Sequence, residues 1–209
     1  MRSSILPCNA IINDSDISAM YSIPQINNIH LDTRCVDADQ KEAFLKLFDT
    51  QGNPMTRFPV CRIYHQNALL KSFSGRGKVA EHKLFYLHPQ YRGNGIANNL
   101  SFNEDNTYRR NGFIEIQLQA AWDGIVVWQK KGFQYVSPKT EYKVITAWRV
   151  YFTNVFNELS LEEQADIIRQ YKRIKDIPKK YLLPEGKQSF TDWLDGKNLV
   201  PVDDMYRRL

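Results

Sequence analysis

The apolar positions between residues 79 and 133 change their spacing in a definite order. The run Leu84-Phe85-Tyr86-Leu87 ends a stretch of strand length, Pro89 stops it, Gly93 and Gly95 follow, and a polar stretch of helical length begins. That is the pattern of strand, tight turn and helix, because proline closes one element and glycine gives the backbone freedom to enter the next. Residues 95–110 carry a thin apolar side of Ile96, Leu100 and Tyr108 and stop at Asn111-Gly112, which predicts a helix. Phe113 to Leu118 alternates as a strand, Trp122 to Lys131 reads as a helix broken by Gly132, and residues 133–136 and 142–152 read as further strands.

Upstream, residues 9–13 and 28–36 read as short strands and 14–21 as a short helix, with Pro24 and Asn27-Asn28 as punctuation. Over residues 39–49, Asp39 with Glu42 resembles a capping box. Ala43, Phe44, Leu47 and Phe48 then make one apolar face, so a helix is expected there with Gln40, Lys41 and Lys46 in solvent. The alternating stretch from Phe58 to Tyr64 predicts a strand, His65-Gln66-Asn67 a turn, and Ala68 to Phe73 the second strand of a hairpin. From Ser160 the character changes. Ser160-Leu161-Glu162-Glu163 is a capping box, Leu161, Ala165, Ile168 and Tyr171 form an apolar face, and Pro178 closes the helix. Pro184, Gly186, Gly196 and Pro201 divide the rest into short pieces, one of them the amphipathic Phe190 to Leu194. Strand, helix, strand, helix, strand after a hairpin predicts an α/β fold with a mixed sheet.

Composition narrows the function classes. The chain has 209 residues, 43% hydrophobic and 24% charged, which is ordinary for a globular protein with a real core. No apolar run is long enough to cross a membrane, and the start of the chain has no extended apolar core of a signal peptide. Cys8, Cys35 and Cys61 are spread widely and odd in number, so neither a metal site nor a disulfide is indicated and the cytoplasm is the expected compartment. The net charge of +5 lies entirely in residues 1–154, with 18 basic against 13 acidic residues, while 155–209 carry 10 of each. No dense basic run with interleaved aromatics points to nucleic acid. The excess does suit an anionic small molecule.

The corner from Leu87 to Ala97 is where such an anion would bind, since a helix start presents unpaired N–H groups and a positive dipole end. Arg92-x-x-Gly95-x-Ala97, with its lead-in His88-Pro89-Gln90-Tyr91, resembles the Arg/Gln-x-x-Gly-x-Gly/Ala signature of the GNAT superfamily of acyl-CoA N-acyltransferases. Trp128-Gln129-Lys130-Lys131-Gly132-Phe133 resembles the family's later helix end and Gly-Phe corner. Both motifs fall within residues 55–150, and the arrangement of Ala120-Ala121-Trp122-Asp123-Gly124, then Trp128, then Gly132-Phe133 resembles a bacterial and phage-associated variety.

The resemblance implies a GNAT-like mixed, mostly antiparallel central sheet flanked by helices over residues 1–154, firmest over 55–150, while the change of character toward the end sets 155–209 apart as a helical C-terminal extension. It implies acetyl-CoA as acyl donor and a small-molecule or protein primary amine as acceptor, with no metal, nucleic acid or membrane, and it leaves a homodimer open. Backbone N–H groups of Arg92, Gly93, Asn94, Gly95, Ile96 and Ala97 would cradle the pyrophosphate. Backbone groups of Tyr86, Leu87 and His88 would pair with pantetheine and polarise the thioester carbonyl. Glu81 is then the expected base and His82 the spare. The family's usual tyrosine acid is replaced by Trp128, whose indole N–H does not protonate a thiolate, so Trp128 is assigned to packing on pantetheine. Water or Tyr135 would supply the proton, or the thiolate would leave without a dedicated acid. Ala120-Ala121-Trp122-Asp123-Gly124 stands where the family often has asparagine. Two rivals share these residues: an acyl-CoA binder that does not transfer, and an interaction module in which the glycines only turn the chain.

Overall fold

Alternation decides the first half of the chain. In the computed structural model, which describes residues 10–120, 124–197 and 203–209, the segment expected as a helix over 39–49 is strand β2 (Gln40–Phe48). The positions that bury are Lys41, Ala43, Leu45 and Leu47, a period of two. β2 lies between β1 (Asn28–Cys35) and β3 (Val60–Leu69), antiparallel to both, and ladder hydrogen bonds on both edges outweigh the local cap-like signal. Glu42 is not a cap. It faces Arg34 across the β1–β2 ladder, with Arg34 Nη2 2.6 Å from its carboxylate.

Lys41, expected in solvent, is buried instead. Its Nζ donates to the Ile12 carbonyl at 2.8 Å and to Asp14 Oδ1 at 2.6 Å, tying β2 to helix α1 (Asp14–Met20). Residues 11–13 form no strand, and position 9 lies outside the described residues. Cys35 is disulfide-bonded, contrary to expectation, because three dispersed cysteines give no pairing signal; its partner lies outside the described residues, and Cys61 is free.

β3 does not turn at 65–67. It passes through an irregularity between His65 and Ala68 and reverses only over 70–75, where the Leu70 N–H donates to the Gly75 carbonyl at 3.1 Å. The buried Glu115 carboxylate holds that reversal by accepting from the N–H groups of Lys71 and Ser72, both at 2.9 Å. Strand β4 (Arg76–Leu84) returns antiparallel to β3, α2 (Ile96–Arg110) crosses over, and β5 (Glu115–Ala120) runs parallel to β4. The sheet order here is β1-β2-β3-β4-β5, mixed and mostly antiparallel. Ile17 and Met20 of α1, Tyr21 at its C-terminal cap, and Ile96, Leu100 and Tyr108 of α2 are buried, as are Ala43, Leu45, Val60, Tyr64 and Ala80 on the strands.

The chain divides into two compact units, one running to Leu118 and including Arg208–Leu209, the other Gln119–Arg207. The second unit contains α3 (Gly124–Lys130), β6 (Gln134–Tyr135), α4 (Pro138–Val155), α5 (Leu161–Gln170), α6 (Phe190–Gly196) and all but the last residue of β7 (Asp203–Arg208). The strand expected over 142–152 is part of α4. Proline opens it, and Val144, Ile145, Trp148, Tyr151 and Phe152 bury one helical face, a period the aromatic and β-branched content disguises. Trp148 and Tyr151 pack edge-on against Tyr171 and Trp193, with ring centroids 6.1 and 5.9 Å apart. The capping box at Ser160 is present, but α5 buries Gln164 and leaves Leu161 exposed, so its apolar stripe is not its packed face. The segment read as helical also supplies a strand, β7, antiparallel to β6.

Register in β2 is testable by two adjacent substitutions. Leu45→Ala should cost about 2–5 kcal/mol by urea unfolding, and Lys46→Ala less than about 0.5, because only the first deletes a buried side chain. Similar losses at both positions would contradict the strand.

Candidate active site

The corner is built by what happens to β4 at its end. Its parallel pairing with β5 extends from Val79 opposite Glu115 to His82 opposite Leu118. On its other edge Arg62 pairs with His82 while Cys61 pairs with Leu84, so Lys83 is an extra residue, a bulge. Arg62 secures it. Nη1 donates to the carbonyls of Cys61 at 3.0 Å and Leu84 at 3.2 Å.

Past the bulge, Leu87 bridges Thr56 in antiparallel fashion. The Arg57 N–H donates to the Tyr86 carbonyl at 3.1 Å, and the His88 N–H donates to the Met55 carbonyl at 3.0 Å. Two of the three backbone positions expected to meet pantetheine are therefore engaged with residues 55–57. Leu87 differs, since in such a pair its own N–H and C=O point to the opposite edge. Its carbonyl accepts from Arg92 Nε at 3.1 Å, which leaves the N–H for a ligand.

Pro89–Tyr91 then make one 3-10 turn, and the Arg92 N–H is spent on the Pro89 carbonyl at 3.1 Å. Gly93 at φ 83° and Gly95 at φ 73° are left-handed, a conformation glycine adopts without strain. Gly95 is the N-cap of α2, with no side-chain cap and no acidic residue in the first turn. A Cβ at either glycine would meet nothing within 4 Å, so the corner is open to solvent and the requirement is one of φ. Among the described residues no backbone carbonyl takes the N–H groups of Gly93, Asn94, Gly95 or Ile96. Asn94 is exposed, Ile96 buried and Ala97 half-buried. The Arg92 guanidinium folds back, 4.7 Å above the Tyr86 ring. The Tyr91 hydroxyl donates to Asp49 at 2.7 Å, pinning the corner to the 49–53 turn; that bond, with those from Asn53, holds the Asp49 carboxyl near 2.

Glu81 and His82, adjacent on β4, point to opposite faces of the sheet. Glu81 lies with Lys83 Nζ 2.6 Å from Oε1 and His65 Nε2 3.2 Å from Oε2, and its carboxyl is lowered from 4.5 to about 2, chiefly by His65 and then by Lys83. His82 is buried beneath α2, its Nε2 3.1 Å from the Tyr108 hydroxyl. Beside it lies a buried ion pair that sequence reading missed: Arg62 Nε is 3.0 Å from Glu104 Oε1, which also accepts from the Tyr21 hydroxyl at 2.8 Å. Burial alone would lower the Arg62 pKa, and Glu104 together with Tyr21, Tyr108 and Tyr64 more than reverses that. The signals were one arginine among the apolar positions of β3 and one glutamate among the asparagines of α2.

Trp128 belongs to the second unit. It packs edge-on against Phe133, centroids 5.3 Å apart, and sits where a Cβ on Gly124 would come within 2.9 Å of its ring. Tyr135, also there, is buried, and desolvation raises its hydroxyl to about 12. Residues 121–123 of the Ala-rich segment lie outside the described residues. Among the described residues no group of His, Cys, Asp and Glu is placed to hold a metal.

No family model matches the sequence, and no curated protein does. Solved structures give similarities. One is nourseothricin acetyltransferase, at 11% identity over 58% of this chain and 79% of that one, TM-score 0.34. Another is a GNAT family acetyltransferase from Elizabethkingia anophelis with acetyl-CoA bound, at 10% over 52% and 78%, TM-score 0.33. A third is a GCN5-related N-acetyltransferase from Kribbella flavida, at 14% over 98% and 90%, TM-score 0.34. Likeness at that level carries no argument about what this chain binds or does.

Two outcomes are expected. Glu104→Leu strands a buried guanidinium and should cost about 3–5 kcal/mol in urea, with Arg62→Met added on top restoring part of the loss; a single-variant loss near zero would contradict the pair. Because the Glu81 pKa is depressed, its stabilising contribution is fully present above 4.5 and lost as pH falls through about 2. The stability gap between wild type and Glu81→Gln should therefore narrow steadily below 4.5, and a gap that does not narrow contradicts the contacts.

Proposed function

We propose that the chain is an acyl-CoA-dependent N-acyltransferase of the GNAT superfamily, moving an acetyl group from acetyl-CoA to a primary amine. The observation that carries this reading is the end of β4: a bulge, the Leu87 N–H directed away from the 55–57 segment, and then two left-handed glycines opening an uncapped helix. A pyrophosphate fits the second feature, since the N–H groups of Gly93 to Ile96 and the positive helix end need an anion. A thioester carbonyl fits the first. The Leu87 N–H would donate to the carbonyl oxygen and strengthen that bond as negative charge builds in the tetrahedral intermediate. The Arg92 side chain is committed to Leu87 and Tyr86, so its role is to brace the corner.

The amine nitrogen attacks the thioester carbon, the C–N bond forms, and the C–S bond breaks with its electron pair leaving on sulfur. The nitrogen must first lose its ammonium proton. Buried under α2 against Tyr108, His82 is assigned a structural role. One observation favours a second reading, that of a binder that does not transfer: Glu81 is held ionised by its hydrogen bond from His65 and by Lys83, and is a weak proton acceptor as it stands.

Calorimetry with acetyl-CoA tests the cradle. Wild type should bind, and at a hundredfold excess over its dissociation constant the ligand adds about 2.7 kcal/mol, several degrees of midpoint in a chain of this size. Gly95→Asn and Gly95→Asp tolerate a positive φ about equally and differ in charge. The asparagine variant should bind more weakly, and the aspartate variant should not bind. Equal affinity in both would contradict a phosphate at Gly95, and thiol release with a panel of primary amines separates transfer from binding alone.

A further inference from the structure

β1 is the outermost strand of its sheet, with β2 as its neighbour on one side. The pairing runs without a break from Asn28 opposite Phe48 to Cys35 opposite Lys41. Its phase is fixed at the turn, where the Val36 N–H donates to the Gln40 carbonyl at 3.0 Å. Bonded and non-bonded pairs alternate along an antiparallel ladder, so Arg34, Asp32 and His30 also bond to β2, and Ile29, Leu31 and Thr33 direct their N–H and C=O groups outward. Among the described residues no backbone group takes any of these. No residue of β1 is buried: His30, Asp32 and Arg34 are exposed on one face, and Ile29, Leu31 and Thr33 are half-buried on the other.

Such an edge is ordinarily blunted by proline, lysine, a bulge or an inward-pointing charge. From Asn28 to Cys35 there is no proline and no lysine, the register is unbroken, and the half-buried face carries no charge. A row of outward N–H and C=O groups of this length is a template for one more strand.

Charge complementarity selects that strand. Laid antiparallel on a second copy of itself and centred on Leu31, β1 pairs Leu31 with its own counterpart and Ile29 with Thr33, so every outward group of the three finds a partner. On the exposed face the same register sets Asp32 opposite the second copy's His30, twice by symmetry, and Arg34 opposite Asn28. His30 is steadied by Phe48, ring centroids 4.9 Å apart, Arg34 is engaged by Glu42, and Asp32 has no side-chain partner among the described residues. Centring on Asp32 instead would oppose two aspartates, so the charges also fix the register. Cys35, which is disulfide-bonded, falls outside the paired stretch.

We propose that β1 is a self-association edge, on which a second copy of this chain adds its own β1 antiparallel, centred on Leu31, and joins two sheets into one. The contact uses the same edge of both copies, so it closes at a dimer. One strand is a small interface, and the association is therefore weak and reversible. The acyltransferase reading is not needed for it.

Sedimentation equilibrium of the full chain, its disulfide intact, should show monomer and dimer exchanging within a concentration range that ends at about 1 mM. Hydrogen exchange at two concentrations then locates the contact. The amides of Ile29, Leu31 and Thr33 should slow as concentration rises, while those of His30, Asp32 and Arg34, bonded within the chain, should be slow at both. His30→Glu sets carboxylates face to face and should weaken the dimer about tenfold or more, Asp32→Lys should weaken it less, and the double variant, with its charges exchanged, should return to within a few-fold of wild type. A chain still monomeric at about 1 mM or a dimer whose Ile29, Leu31 and Thr33 amides stay fast would overturn the proposal. So would protection of those amides that ignores concentration, the sign of another part of the same chain covering the edge, or a double variant no tighter than His30→Glu.

Discussion

The pair that everything at the corner depends on is Arg62 with Glu104. A guanidinium and a carboxylate out of water are tolerated only when each is fully engaged, and here Glu104 accepts from Arg62 and Tyr21 while Arg62 also donates to two backbone carbonyls. One of those carbonyls, Leu84, belongs to the bulge that sends β4 toward Leu87; Glu104 is on the helix that Gly95 starts. The ion pair thus fixes the strand that carries the Leu87 N–H relative to the helix that starts at Gly95. α2 could not achieve this by apolar contact alone, since its buried apolar side is limited to Ile96, Leu100 and Tyr108.

How much of this could be read from the chain depends on the range of the interaction. The glycine corner was legible because its cause is local: a proline, two glycines and a helix-length polar stretch state the turn outright, and the structure places left-handed glycines where they were expected. The capping box at Ser160 was legible for the same reason. β2 was not, because Ala43, Phe44, Leu47 and Phe48 satisfy a helical template as well as Ala43, Leu45 and Leu47 satisfy a strand, and two neighbouring strands decide between them. α4 failed in the opposite sense, its aromatic and β-branched residues favouring strand until the unit's aromatic core selects the helix. Lys41, buried on partners from the 12–14 segment, and Cys35, disulfide-bonded, depend on contacts distant in sequence.

The candidate site shows the same division. The left-handed backbone at Gly93 and Gly95 was foreseeable from the motif. Residues acting through side-chain neighbours were not: Glu81 looks like a free carboxylate in sequence, and only the fold reveals the lysine and histidine that hold it ionised. His65 read as a turn residue because the bulge that keeps it in β3 has no local signature.

The central claim is that an acyl-CoA lies along the end of β4 with its pyrophosphate on the corner. The most direct measurement is a backbone amide map by nitrogen-15 NMR during titration with acetyl-CoA. The account predicts the largest changes at the N–H groups of Gly93, Asn94, Gly95 and Ile96, with a further one at Leu87 and little at His88, whose N–H is already bonded to Met55. Binding that leaves the corner amides unmoved and perturbs other parts of the chain would contradict it.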